Sequence, residues 1–283
     1  MWDILEKYEK APLRLTDEEY LAVSDTEFCA RFRERVHHTL EVQFYHALQT
    51  GRPMDAGQLK TAEHMCLLWQ KRGLPEDHHD YQYAQRILSM ARDCAEGKPV
   101  DLSPHAPPEV TDKDREVFFR VVHDRRSVRA FDMERDVPDE LINKVLDAGL
   151  WAAHACNLQS IRYLVVREKD EPWLFRGSDI PPGPVHIAVL QDERCYLANT
   201  AMSLKNRVLD AGAATQNILL AIHAHGLDGV WLTYEDPMID RLRRRFDLAD
   251  YIRIVDFIDM GYGVQTPFPP QRPDVSERII VRT

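Results

Sequence analysis

The chain has 283 residues, 44% of them hydrophobic and 29% charged, which suits an ordinary soluble globular protein of about two domains. Its formal charge is -10, which argues against general nucleic-acid binding, since that needs basic surface to neutralise phosphates. The five cysteines, Cys29, Cys66, Cys94, Cys156 and Cys195, are scattered and odd in number; they form neither a disulfide framework nor a zinc pattern and fit a reducing cytoplasm.

The opening Met1-Trp2-Asp3-Ile4-Leu5-Glu6-Lys7 has no basic or apolar signal region. The longest apolar run, Ile218 to Ala224, is broken by His223 and falls far short of the ~18–20 residues a membrane span needs. Residues 1–96 read as helical. Thr16-Asp17-Glu18-Glu19 and Ser24-Asp25-Thr26-Glu27 both have capping-box form, and the second opens a helix to about Leu48. Phe28, Phe32, Val36, Leu40 and Phe44 step by four along it, a drifting apolar stripe. Two more helices follow, from about Asp55 to Arg72 and from about His79 to Glu96, each closed by a glycine, Gly73 and Gly97. Short connections favour antiparallel neighbours, hence a small bundle.

Glu34-x-x-His37 and Glu76-x-x-His79 have the spacing of carboxylate-bridged di-iron ligands. The second pair falls in a predicted loop and no further glutamates complete a set, so these histidines are read as surface or cap residues and no metal is expected. Residues 97–111 carry Pro99, Pro104, Pro107 and Pro108 without periodicity, which makes them a linker.

Beyond it the pattern turns to mixed helix and strand over 112–283. A helix over Asp112–His123 leads into Arg125-Arg126-Ser127-Val128-Arg129, a basic cluster in an acidic chain. Such a cluster repels itself unless an anion or carboxylates sit against it, and arginine forks fit phosphate oxygens in pairs. Val137-Pro138-Asp139-Glu140 starts a helix running to about Ala153. The polar stretch His154 to Gln159 precedes a strand, Ile161–Val166, and a proline-rich segment from Lys169 to Pro184 precedes a second, Val185–Leu190. A long apolar helix, about Ser203–His225, ends at Gly226. Val230–Thr233 and Ile254–Met260 are strands around a short basic helix, Pro237–Phe246; a run from Pro267 to Pro273 carries Arg272, and Ile279–Val281 reads as a small last strand.

From about Val117 to Thr283 the chain resembles the FMN-dependent nitroreductase family. Arg125-Arg126-Ser127-Val128-Arg129-Ala130-Phe131 resembles the opening RRSxRxF motif, Asn157-Leu158-Gln159 the N-x-Q motif, and Asp210 to Leu220 the central helix. Gly261-Tyr262-Gly263 resembles the late Gly-Tyr turn, and Arg272-Pro273 the basic residue after it. Their joint order makes the signal. The resemblance departs at His154, where the family has a small residue, and at Ser160-Ile161, where it often has a Pro-aromatic pair. It does not extend to the lid of members that dehalogenate iodotyrosines.

The resemblance implies an α+β fold: a mixed sheet flanked by helices, in an intertwined homodimer with FMN at the subunit interface. The N-terminal helical region lies outside it. By similarity, Arg125 and Ser127 hold the phosphate and ribityl chain, Arg272 closes the phosphate site, and Arg129 sits by the flavin N1 and O2 edge. Asn157 meets the pyrimidine edge, Gln159 is counted with it among the cofactor-binding residues, more as a structural hydrogen-bonder than a ligand group, and Leu232, Thr233 and Tyr234 offer backbone N–H groups toward N5 or O4. Arg126 either joins the cofactor site or pairs with Asp124 or Asp132. Cys156 is read as a buried filler beside Asn157. The chemistry implied is ping-pong electron transfer from NADH or NADPH to a nitroaromatic or quinone, with no catalytic residue beyond the flavin that Arg129 tunes. The alternatives are a flavin-binding sensor or interaction protein, or a reductive dehalogenase or ring dehydrogenase on the same fold.

Overall fold

The computed structural model describes residues 12–177, 182–200 and 204–282. The Met1–Lys7 stretch, Pro181, the Ser203 start of the long helix and Thr283 lie outside the described residues.

The first part is helical: α1 (Asp17–Ala22), α2 (Asp25–Arg33), α3 (Val42–Thr50), α4 (Ala56–Lys71) and α5 (His79–Ala95). Thr16 and Glu19 form the full reciprocal capping box, whereas Ser24 only accepts from the Glu27 N–H. Gly51, Gly73 and Gly97 stop α3, α4 and α5 with φ of 65°, 68° and 74°. Between α2 and α3 the chain does not stay α-helical; Glu34–Glu41 is a π-helix. The apolar stripe explains it. A step of four exceeds the 3.6 residues of an α turn, so the stripe would walk around a regular helix. The wider π turn, bonded i to i+5, takes up that drift. Phe28, Phe32, Val36, Leu40 and Phe44 are consequently all fully buried, packed with Trp69 and Leu88.

Residues 97–111 are extended apart from a short 3-10 turn at Ser103–His105. Then come α6 (Asp112–Asp124), α7 (Asp139–Leu150), β1 (Ile161–Arg167), β2 (Val185–Asp192), α8 (Leu204–Ala224), β3 (Asp228–Leu232), α9 (Asp236–Arg245) and β4 (Ile252–Gly261). Pro138 is the N-cap of α7 rather than part of its first turn, and the helix ends three residues before the expected Ala153. A 3-10 helix, Glu193–Ala198, has no periodicity that would betray it.

The strands pair in the order β1-β2-β4-β3, all antiparallel. The parallel component is a single bridge between Ser127 and Gly229. Helices cover both faces of the sheet, so β2 is buried along its whole length. Val185, Ile187 and Val189 pack with α7 and α8, while Ala188 and Leu190 pack with Met238 and Leu242 of α9. Ile279–Val281 is not a strand: no described segment pairs with it, and Ile280 is 98% exposed. A strand needs a neighbour to satisfy its backbone, and among the described residues this tail has none. Among the described residues no helix is long and apolar enough to cross a membrane.

Candidate functional site

The arginine stretch leaves α6 at Arg125 and is then sewn to the sheet. The Val128 N–H donates to the Gly229 carbonyl at 3.2 Å, and the Asp132 N–H to that of Tyr262 at 2.8 Å. Val128 and Phe131 are buried, while Arg125, Arg126, Ser127 and Arg129 lie around a cavity of about 530 Å³, with Arg272 and Phe268 completing the wall. Gln265 holds the Arg129 backbone by accepting its N–H at 3.0 Å.

Four guanidinium groups therefore share one cavity, and among the described residues no carboxylate pairs with any of them. Arg126 donates to the carbonyls of His123 and Arg125, not to Asp124 or Asp132. Arg272 donates to the Gln271 carbonyl at 3.0 Å. Burial, and then the neighbouring charges of Arg126 and Arg272, hold the Arg125 guanidinium below its ordinary pKa. In so acidic a chain, uncompensated cations of this density mark a place for an anion.

Asn157 and Gln159 do not line this cavity. They lie in a half-buried loop between α7 and β1 in which Cys156, Asn157 and Gln159 all have left-handed backbone, with φ of 49°, 50° and 51°. Gln159 Nε2 donates to Asn157 Oδ1 at 3.4 Å, which leaves the Asn157 amide donors unused among the described residues. A polar network supports the loop. Asp210 accepts the Ala155 N–H at 2.9 Å and the Tyr196 hydroxyl at 3.0 Å; Ser160 shares hydrogen bonds with Tyr196 at 2.8 Å and with His154 Nε2 at 3.1 Å. His154 and Ser160, the two departures from the family pattern, are thus partners. Burial, the largest influence, lowers the His154 pKa although Asp210 pulls the other way. A neutral ring accepts the Ser160 N–H at Nε2, 3.2 Å away. Burial likewise raises the Cys156 pKa, aided by Glu34, so Cys156 stays a thiol. Sequence reasoning missed Tyr196 and Asp210 as supports; the signal was the pair of departures itself.

Leu232, Thr233 and Tyr234 close β3. Tyr234 is buried, and its hydroxyl donates to Asp259 at 3.2 Å within a core network in which His186 sits between Asp259 (2.6 Å) and Glu168 (2.8 Å). The sheet separates the two groups of site residues. Ser127 joins β3, and the Asn157 loop enters β1, the opposite edge. They also sit at opposite ends: Ile161 faces Gln191, which faces Arg253 at the start of β4, whereas Gly229 faces Met260 near its finish. Three strand spacings alone set them about 14 Å apart.

The pattern of the Nitroreductase family matches residues 122–193 and 174–262. The chain is 31% identical over 170 residues to the "Putative NADH dehydrogenase/NAD(P)H nitroreductase" of Methanothermobacter thermautotrophicus, a match covering 54% of this chain and 84% of that protein. Its fold is similar to that of a "putative nitroreductase in complex with fmn" from Desulfovibrio desulfuricans, with 28% identity, a TM-score of 0.50, and coverage of 59% of this chain and 96% of that one. A nitroreductase-like protein from Streptococcus mutans, 19% identical, shares the fold with a TM-score of 0.52 over 60% of this chain and 100% of its own. All of these likenesses leave a large part of the chain unmatched, and the family pattern begins only at residue 122. With this identity and coverage, on an α+β fold of the same kind, the chain belongs to the nitroreductase family.

Proposed function

We propose that the protein is an FMN-dependent oxidoreductase that passes electrons from NADH or NADPH to an electron-poor acceptor such as a nitroaromatic or a quinone, and that it works as a homodimer. The observation that carries this reading is the cavity of Arg125, Arg126, Arg129 and Arg272, four cations that pair with no carboxylate among the described residues. A phosphate dianion fits that donor set. FMN, when bound, supplies the redox chemistry, exchanging two electrons first with the nicotinamide and then, in a ping-pong second half, with the acceptor.

The chain's own residues bind and tune. Arg125, Ser127 and Arg272 hold the phosphate, and Arg126, turned toward local carbonyls, shapes the cavity and adds charge to it. Arg129 keeps a fixed positive charge where negative charge develops on reduction, which favours the reduced state without a proton transfer. Asn157 brings free amide donors to the pyrimidine edge, positioned by Gln159, and the backbone of Leu232, Thr233 and Tyr234 lies at the same end of the sheet.

Two further observations support the homodimer. The arginine cavity and the Asn157 loop are at opposite corners of the sheet, so one cofactor is served by both only if each copy lends its loop to the other's cavity. Helix α6 buries none of its residues and exposes Val117, Phe118, Phe119 and Val122, while the tail exposes Ile280 and Val281; a second copy gives these something to bury against. The division into a helical unit (1–96), a linker (97–111) and a flavin-binding domain (112–283) belongs to the same proposal, supported by hydrophobic clusters that do not mix across the linker, one small contact cluster apart. The test is direct. Purified protein titrated with FMN should quench flavin fluorescence, and the complex should oxidise NADH or NADPH faster when a quinone or nitro compound is added. Failure to bind FMN sinks the reading; bound FMN that neither nucleotide reduces leaves a flavin-binding partner protein instead.

A further inference from the structure

The helical bundle precedes the family match, which begins at residue 122. We propose that it is a working part of the site, and that Arg33 is a positioning residue that clamps the loop of Asn157 and Gln159 in its left-handed form. What the loop does rests on the FMN reading above; the clamp itself does not.

Three side-chain-bearing residues with φ near 50° in four positions cannot hold themselves. In that conformation Cβ crowds the carbonyl oxygen, so the surroundings must impose it. Asp210 grips the loop at Ala155 and Arg162 at the Gln159 carbonyl, 2.9 Å from Nη1. Leu158, between Asn157 and Gln159, is held from the bundle. Its carbonyl accepts from Arg33 Nη2 at 2.9 Å, and its fully buried side chain packs with Ala30 of α2 and with Cys195, Tyr196 and Ala198. Arg33 Nη1 donates to Asp80 Oδ2 of α5 at 2.6 Å, so one guanidinium ties two helices of the bundle to the loop. Arg33 and Asp80 are 8% and 4% exposed.

A buried ion pair is weak evidence for stability, because desolvation offsets much of its attraction. A fork shared between a carboxylate and one loop carbonyl instead fixes a geometry, which a point charge does less well. The location fits. Arg33 is the last α-helical residue before the π-helix, and the π-helix packs against residues 155–157. Without that widened segment the stripe on α2 and α3 could not stay buried while Arg33 faces the loop.

The experiment compares wild type with the double variant Arg33→Met/Asp80→Leu, which leaves no orphaned buried charge, and with Arg33→Lys, which keeps a charge for Asp80. Amide hydrogen exchange is followed in residues 155–160 and in β2, and FMN affinity is measured by fluorescence quenching. A charge-assisted hydrogen bond is worth about 1.5–3 kcal/mol, at most about 10- to 150-fold in an opening equilibrium. Both variants should therefore exchange the loop amides about 10- to 100-fold faster, leave β2 unchanged, and weaken FMN binding about 10-fold. The clamp is overturned if loop exchange matches wild type, if loop and β2 accelerate together, or if Arg33→Lys alone behaves as wild type. Loosening of the loop with unaltered FMN affinity overturns its place in the site. If the wild type itself binds no FMN, the functional reading falls while the exchange data still decide the clamp.

Discussion

Arg125→Gln separates a cofactor site from a merely basic surface, because it acts in opposite directions on the two states of the protein. Without an anion, Arg125 lies beside Arg126 and Arg272, and among the described residues no carboxylate pairs with them. Removing it relieves repulsion. The side chain is only half-buried, so solvent screening limits that relief to less than about 1 kcal/mol. The flavin-free variant should melt within about 3 °C of wild type, or slightly above it. With FMN the balance reverses, because charge-assisted hydrogen bonds to phosphate are worth about 1.5–3 kcal/mol. That is roughly a 10- to 150-fold rise in Kd. Thermal unfolding with and without saturating FMN, and a fluorescence titration at two salt concentrations, measure both. A flavin-free variant destabilised by more than about 1 kcal/mol that binds FMN within twofold of wild type would make Arg125 a structural residue and refute the assignment.

Arg129→Ala should keep FMN affinity within about threefold but slow the reductive half-reaction 10-fold or more, since its charge matters most when the ring gains electrons; stopped-flow reduction by NADH and NADPH checks it, and equal loss of both properties counts against the role. Two buried histidines should give opposite pH dependences. Burial works against a charged His186, but Asp259 and Glu168 outweigh it and raise its pKa. Its contribution is then full below the unfolded value of about 6.5 and lost as pH rises through the folded value, so the stability gap between wild type and His186→Gln should shrink above pH 7 in urea unfolding. The His154 pKa is lowered, so the gap for His154→Gln should shrink instead as pH falls below about 6.5. Gly149→Ala should cost about 1–3 kcal/mol in the same assay, because a Cβ there would strike the Tyr163 hydroxyl and lie 2.9 Å from Ile218 Cδ1, where α7 crosses α8.

Features set by local chemistry were legible in the sequence. The Thr16–Glu19 box, the glycine stops and the strand runs all appear close to where residue type places them, since each rests on backbone geometry within a few positions. The basic stretch was legible as a cluster, and the fold brings Arg272 to the same cavity from 143 residues beyond Arg129. Longer-range facts were not legible. A stripe stepping by four is visible, but whether the helix slips, bends or widens depends on the partners that bury it. Nothing near Arg33 in sequence points to Leu158, and their bond exists only because α2 docks on the loop. The last strand failed for a related reason: apolar residues predict a strand, and pairing needs a neighbour that the described residues do not provide.

The departures from the family pattern make physical sense only together. A proline at position 160 would have no N–H for His154 Nε2 and no hydroxyl for Tyr196 or His154. Serine supplies both: its N–H goes to His154 Nε2, and its hydroxyl donates to Tyr196, whose own proton goes to Asp210. A small residue at 154 would leave the Ser160 N–H, fully buried, without that acceptor. Tyr196 then links this pair to Asp210 on α8, and its neighbours in the hydrophobic cluster are Leu158 and, from the helical bundle, Ala30. A proline would stiffen such a loop from within. Here the stiffness comes from outside, through a buried polar network on one side and the bundle on the other. Shortening the chain to the part that matches the family would therefore remove one of the two supports of the Asn157 loop.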